Sequence, residues 1–265
     1  MTLGLIAGHG PLPLLAAQGA RAEGRRVAAV AFREEADPAL EGVVDACTWV
    51  SVGQLGALIR SLQAAGVREA VMVGKVQMTH LFSRLRPDLR ALRLLWRLGD
   101  RRGDSILAAV ADELEREGIR LLDSSRFLAA LVPGPGCLTR RAPTRRERED
   151  LAFGRSIARQ VAALRIGQTV VVKRKVVLAV ESIEGTDAAI RRGAALGRGE
   201  VVVAKVSRPD QDMRFDLPAV GPATVATMRE VGATALGLDA GRTLLLQREA
   251  LVADADRAGI AIVAE

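Results

Sequence analysis

Two α/β domains joined by a Pro/Gly-rich linker is the fold this sequence predicts, and three observations predict it. Through the first half, short β-branched runs alternate with amphipathic stretches, the pattern of parallel strands with crossover helices. Around Val132-Pro133-Gly134-Pro135-Gly136-Cys137 the alternation breaks. The second half restarts with a different pattern, two β-rich runs meeting at Lys173-Arg174-Lys175 like the arms of a hairpin. The expected division is a parallel α/β domain over residues 1–133, a linker over 134–145 and a second α/β domain over 146–265.

In order, residues 3–7 read as a strand, 12–23 as a helix, 27–32 and 46–50 as strands, 54–65 as a helix and 69–73 as a strand. A helical, basic segment follows, then a helix over 105–117 and a strand over 120–122. The second half reads as a helix over about 146–164, the hairpin over 167–180 and a helix from 187. Strands at 200–206, 243–246 and 261–263 then alternate with helices at 223–231 and 248–258. Helix starts and stops follow the placement of Pro, Gly and capping residues.

The composition suits a globular protein: 265 residues, 49% hydrophobic and 26% charged. No apolar run approaches the roughly 18–20 residues of a membrane span. The N-terminus lacks the basic region of a secretory signal and reads as a first strand, which points to the cytoplasm. Cys47 and Cys137 have no metal or redox spacing. The net charge is +7, and of the 38 basic residues only Lys75, Lys173, Lys175 and Lys205 are lysine. A basic surface favours anionic partners. Aromatics at 3% leave few platforms for base stacking, which argues against nucleic acid.

The most informative stretch runs from Lys205 to Pro218 and carries Arg208, Asp210, Gln211, Asp212, Arg214 and Asp216 directly after an apolar run. Carboxylates are the ligands Mg²⁺ prefers, and cations neutralise phosphate oxygens, although charges at a strand end also suit a solvated loop. Glu181 and Glu184 follow the strongest β pattern in the chain, and with Asp212 and Asp216 they would make a carboxylate cluster for a metal. Thr186 fits a helix N-cap, with Asp187 in the first turn.

Near the start, Gly8-His9-Gly10-Pro11 forms a glycine-rich turn between strand and helix, a shape that can hold a phosphate at a helix N-terminus. Pro13 stands where a dinucleotide fingerprint has its third glycine, and Glu34 or Glu35 would take the ribose role. This leaves an NAD(P)- or nucleotide-dependent oxidoreductase as an alternative. Lys75 closes a strand at the carboxyl edge of the sheet, where ligands of open α/β sheets bind. Between Arg84 and Arg102, Arg86, Arg90, Arg93 and Arg97 share a helical face, with Leu85, Leu89, Leu92 and Trp96 opposite or beside it. Such a helix suits an anionic membrane surface or a phosphate cleft, and equally a solvated face over a packed stripe.

The blocks GLIAGHGPLP, VMVGKV, RPDLRAL, RGDSIL, IGQTVVVKRKVVLAVESIEGTD, KVSRPDQDMRFDLPAVGPATVATM and DADRAGIAIV, in this order along essentially the whole chain, resemble the UDP-2,3-diacylglucosamine pyrophosphatases of the LpxI type. The resemblance implies Mg²⁺-dependent hydrolysis of UDP-2,3-diacylglucosamine to UMP and 2,3-diacylglucosamine 1-phosphate (lipid X), a step of lipid A and hence lipopolysaccharide biosynthesis. It implies the acylated sugar held in a crevice between two α/β domains, and it puts the family's acidic motif on Asp212 and Asp216. Asp212 is expected as the essential carboxylate, with Asp216 second and with Lys205 and Arg214 neutralising the pyrophosphate. Gly8, His9, Gly10, Lys75, Gln211, Thr186 and Asp104 are expected to touch substrate, and Asp212, Asp216, Glu181 and Glu184 to hold the metal. One departure is Gly103-Asp104, where the family often has two adjacent Asp. A lipid substrate also implies a peripheral place on the anionic inner-membrane face, with the basic helix as the contact.

Overall fold

The computed structural model of the protein describes residues 1–76, 87–99 and 103–265, without the side chain of Asp104. It divides into two compact units: Met1–Leu128 together with Met213–Phe215, and Ala129–Asp212 together with Asp216–Glu265.

The first unit runs β1 (Thr2–Ala7), α1 (Leu12–Ala22), β2 (Arg26–Phe32), β3 (Ala46–Val50), α2 (Leu55–Ala64), β4 (Glu69–Val73), α3 (Leu89–Arg97), α4 (Gly103–Arg116) and β5 (Arg120–Leu121). Its five strands are parallel in the order β3-β2-β1-β4-β5, so the strand order reverses between β1 and β4. Strands covered on both faces read as continuous apolar runs, as Leu-Ile-Ala and Val-Met-Val do here. Ile6, Leu62, Leu114 and Ile119 are fully buried in a core shared by sheet and helices.

The second unit runs β6 (Gly136–Cys137), α5 (Arg145–Ala163), β7 (Thr169–Lys173), β8 (Val176–Val180), α6 (Thr186–Gly197), β9 (Val202–Lys205), β10 (Ala219–Val220), α7 (Pro222–Glu230), β11 (Ala235–Leu238), β12 (Leu244–Leu245), α8 (Arg248–Ala258) and β13 (Ala261–Ala264). Its main sheet has the order β6-β13-β11-β9-β7-β8, with β13, β11 and β9 parallel and β6, β7 and β8 added antiparallel at the sides. The expected hairpin is β7–β8. Arg174 and Lys175 both take positive φ (51° and 58°), the geometry of a two-residue hairpin turn that usually recruits Asn or Gly. Buried Asp150 of α5 holds it, accepting the Arg174 and Lys175 amides at 2.8 and 2.7 Å.

Two readings are corrected. Residues 134–145 are no free linker: β6 pairs with β13, the Leu138 amide donates to Ile262, and Thr139 Oγ1 accepts from the Ile262 amide. Pro and Gly read as a connector, but they are also tolerated on a short edge strand. Strand β11, at the middle of the sheet, is absent from the expected elements because Ala-Leu-Gly-Leu holds no β-branched residue. Helix α5 packs closely on it, and a Cβ on Gly237 would lie 3.2 Å from Leu151 Cδ2.

Helix α5 opens with a capping box in which Thr144 Oγ1 accepts from the Glu147 amide and Glu147 accepts from the Thr144 amide. Arg141 grips the same carboxylate with both terminal nitrogens, at 2.8 and 2.9 Å. Burial pushes the Glu147 carboxyl up, but the hydrogen bonds from Arg141, Thr234 and Thr144 outweigh it and bring the pKa from 4.5 down to about 2. A depressed carboxyl stabilises the fold above its unfolded pKa and loses that contribution as pH falls through the folded one. Acid unfolding followed by circular dichroism is therefore expected to show the wild type losing stability relative to Glu147→Gln between pH 4.5 and about 2. A constant gap between the two proteins over that window would refute the assignment.

Candidate active site

Strand β9 ends at Lys205, whose ammonium donates to Thr186 Oγ1 at 2.9 Å. The Thr186 hydroxyl donates in turn to Glu181 Oε1 at 2.7 Å, and Glu181 Oε2 accepts from the Gln168 amide. Thr186 is therefore not the expected cap: the N-cap of α6 is Gly185 with φ 84°, and Thr186 is the first helical residue, joining Lys205 to Glu181. Asp187 lies in the first turn as expected and accepts from Thr224.

After β9 the loop is braced from below. Asp239, just past β11, accepts the Ser207 amide at 2.7 Å with one oxygen and the Arg155 guanidinium at 3.0 Å with the other. Arg155 of α5 is itself 6% exposed in its side chain. The Ser207 hydroxyl is buried and has no hydrogen-bond partner among the described residues. A buried, unmet hydroxyl costs about 1–3 kcal/mol, so a ligand oxygen reaching it would recover that cost.

Further along, Gln211 Oε1 accepts from the Arg208 amide and from Gln168 Nε2, while its Nε2 donates to the Asp216 carbonyl at 3.1 Å. Gln211, expected on the substrate, is buried and committed to the loop's own shape. Arg208 forms an ion pair with Asp216. The Asp216 amide donates to the Asp212 carbonyl at 3.0 Å, so the two acidic residues stand one turn apart. Asp210 faces elsewhere, its pKa lowered by the hydrogen bond from Arg165.

The four-carboxylate metal set is not assembled. Among the described residues, no three His, Cys, Asp or Glu side chains form a group able to hold a metal ion. Glu184 turns to Arg192, whose guanidinium lowers its pKa, and Glu181 turns to Thr186. What remains is Asp212, with Asp216 one turn on and its carboxylate already shared with Arg208. Mg²⁺ is commonly held by one or two carboxylates with substrate phosphate oxygens and water completing its shell, so these donors suit that ion in type, as a partial site that Asp216 joins by sharing its carboxylate with Arg208.

Met213–Phe215, between these two aspartates, belongs to the first unit. The buried Ser124 holds it: its amide donates to the Met213 carbonyl, and its hydroxyl lies 2.7 and 2.6 Å from the Met72 and Arg214 carbonyls. The Arg214 guanidinium sits 5.8 Å from the centre of the Phe215 ring. Phe215 helps to line an apolar cavity of about 230 Å³ in the first unit, with Ile6, Phe32, Met72, Leu94 and Ile106. The cavity lies at the carboxyl ends of β1 and β4, where the strand order reverses and open sheets bind ligands.

The glycine-rich turn serves another purpose than the expected phosphate cradle. Gly8 and His9 donate their amides to the Val73 and Lys75 carbonyls, and the Lys75 amide donates back to His9. A Cβ on Gly8 would lie 2.6 Å from the Lys75 carbonyl oxygen, and one on Gly74 2.7 Å from the Gly8 carbonyl carbon. Pro11 and Pro13 lack N–H groups altogether, so with the Gly8 and His9 amides committed the turn offers a dinucleotide fewer donors than the fingerprint requires. His9 Nδ1 lies 3.3 Å from the Glu35 carbonyl, Gly10 has φ +98°, and the Lys75 side chain is exposed. The expected contact at Asp104 lies outside the described side chains. Arg155 and Asp239 escaped the sequence reading, and Ser207 and Arg208 lay in the stretch it marked without a role assigned to them.

Among solved structures, the chain is 14% identical to glycinamide-RNase-transformylase T from Mycobacterium tuberculosis, covering 68% of this chain and 44% of that one with a TM-score of 0.27. It is 15% identical to the biotin carboxylase domain of a single-chain bacterial carboxylase, covering 74% and 53% with a TM-score of 0.30. Neither likeness carries an argument. Over 98% of this chain and 96% of the relative, it is 37% identical to the UDP-2,3-diacylglucosamine pyrophosphatase LpxI of Caulobacter vibrioides. Residues 2–131 match the LpxI N-terminal domain and residues 134–263 the LpxI C-terminal domain. The chain belongs to the LpxI family.

Proposed function

We propose that this protein hydrolyses the pyrophosphate of UDP-2,3-diacylglucosamine, releasing UMP and 2,3-diacylglucosamine 1-phosphate (lipid X) for lipid A synthesis. The observation that carries this reading is the 37% identity with a pyrophosphatase of that name along nearly the full length of both chains. The loop after β9 supports it, because its residues match the reaction's needs. A water oxygen must bond to one phosphorus while the bridging P–O bond breaks, and the anionic pyrophosphate resists that attack until its charge is met.

Lys205, held in place by Thr186, is the cation that meets this charge. Asp212 orients the water and takes its proton, as a carboxylate within reach of a nucleophile does. Asp212 and Asp216 are the residues that would hold Mg²⁺, which when bound supplies further neutralisation of phosphoryl oxygens. Arg208 fixes Asp216, and Asp239 fixes the start of the loop.

The test is UMP release from UDP-2,3-diacylglucosamine. Turnover with Mg²⁺ that stops in EDTA and returns on adding Mg²⁺ is the expected result. Folded protein that releases no UMP from verified substrate would overturn the proposal.

A further inference from the structure

We propose that α3 (Leu89–Arg97) is a membrane-docking helix that lays Leu89, Leu92 and Trp96 onto an anionic lipid surface. These three side chains are 73%, 48% and 91% exposed. At the helical angle per residue they fall within about 60° of one another, so they make one stripe. The core does not explain that stripe, because the helix has a second apolar face for it: Ala91 is buried, and Leu94 and Leu95 line the cavity. A helix apolar on its solvent side as well as its core side has an apolar partner still to meet.

Charge names the partner. Arg93 and Arg97 are exposed beside the stripe, where arginines meet acidic headgroups, and Trp at the edge of an apolar face favours the headgroup level. The chain's net charge of +7 acts in the same direction. Arg90, expected to share this role, does not: it is bound to Glu113 of α4 and to Glu117 just past its end. Those ion pairs hold the helix to the unit. At its start the Asp88 carboxylate accepts from the Arg90 and Ala91 amides and, at 2.7 Å, from the Gly56 amide of α2. The docking face is therefore formed before any lipid arrives. At nine residues the helix is far too short to span a bilayer, and among the described residues no helix is long and apolar enough to cross one. It lies flat.

Docking of this kind needs no assumption about the reaction, and its test is read without turnover. In a Trp49→Phe background, Trp96 is the sole indole. Its emission is expected to shift blue on vesicles of phosphatidylcholine with phosphatidylglycerol, and to be quenched by brominated acyl chains. Pure phosphatidylcholine vesicles are expected to bind far less. Arg93→Gln with Arg97→Gln should lower partitioning about thirtyfold at low ionic strength, since each arginine near an anionic surface contributes about 1 kcal/mol. Leu92→Glu with Trp96→Glu should lower co-sedimentation about tenfold or more. All four positions are exposed, so unchanged circular dichroism is expected and confirms folding. Unshifted Trp96 emission, equal binding to neutral vesicles, or a doubled mass in light scattering that Trp96→Glu halves would each overturn the proposal, the last by naming a second copy as the occupant.

Discussion

Asp212→Ala is expected to lower UMP release by about a thousandfold or more, because it removes the carboxylate proposed to orient the water and leaves the backbone in place. Its backbone carbonyl accepts the Asp216 amide and so shapes the turn, and alanine keeps that carbonyl. The carboxylate alone is removed. Asp216→Ala differs in kind, since it strips Arg208 of its ion partner within the loop and so is expected to disturb both stability and turnover. Steady-state UMP release and thermal unfolding, measured on both variants, separate the cases. Activity of Asp212→Ala within tenfold of wild type would remove this residue from the chemistry.

The largest expected effect on stability belongs to Arg155→Met. The substitution keeps much of the buried volume but removes the guanidinium that Asp239 and the carbonyl and carboxylate of Glu265 share. Asp239 would keep the Ser207 amide and Arg159 at 3.6 Å, yet lose its buried cation. Breaking a buried pair from one side costs about 3–5 kcal/mol, because a charge remains with its water withdrawn. Denaturant unfolding should show this loss. Adding Asp239→Asn, which keeps an acceptor for the Ser207 amide without the charge, should recover part of it. A double variant no more stable than Arg155→Met would show that packing, not the stranded carboxylate, sets the cost.

Much of the architecture was legible because burial repeats along the chain. Val-rich runs and helical stripes marked β7, β8, β9 and α5, and the charge density of residues 205–218 marked the loop of interest. What escaped depends on neighbours that only folding supplies. Arg155 and Asp239 stand 84 positions apart, and Asp239 and Ser207 32 apart, so no local pattern links them. Glu184 looked like a metal ligand until Arg192, one helical face away, took its carboxylate. Gly8 and Gly74 looked like a phosphate turn and a strand end, and only the adjacency of β1 and β4 shows that each clears room for the other. The family resemblance, by contrast, needed no folding to read, because it rests on long ordered blocks.

The pairing of β6 with β13 bears on how the molecule can be cut. A fragment begun at residue 146, where the helical pattern starts, would lack Gly136 and Cys137 and leave one side of β13 without its hydrogen-bonded neighbour. It would also lose Thr144 and Arg141 from the head of α5. Val263 and Ile262 would then border an open strand edge, the kind of surface on which chains self-associate into aggregates. A fragment begun at Ala129 keeps that edge closed, so the natural breakpoint for dissecting the chain precedes the Pro/Gly stretch rather than following it.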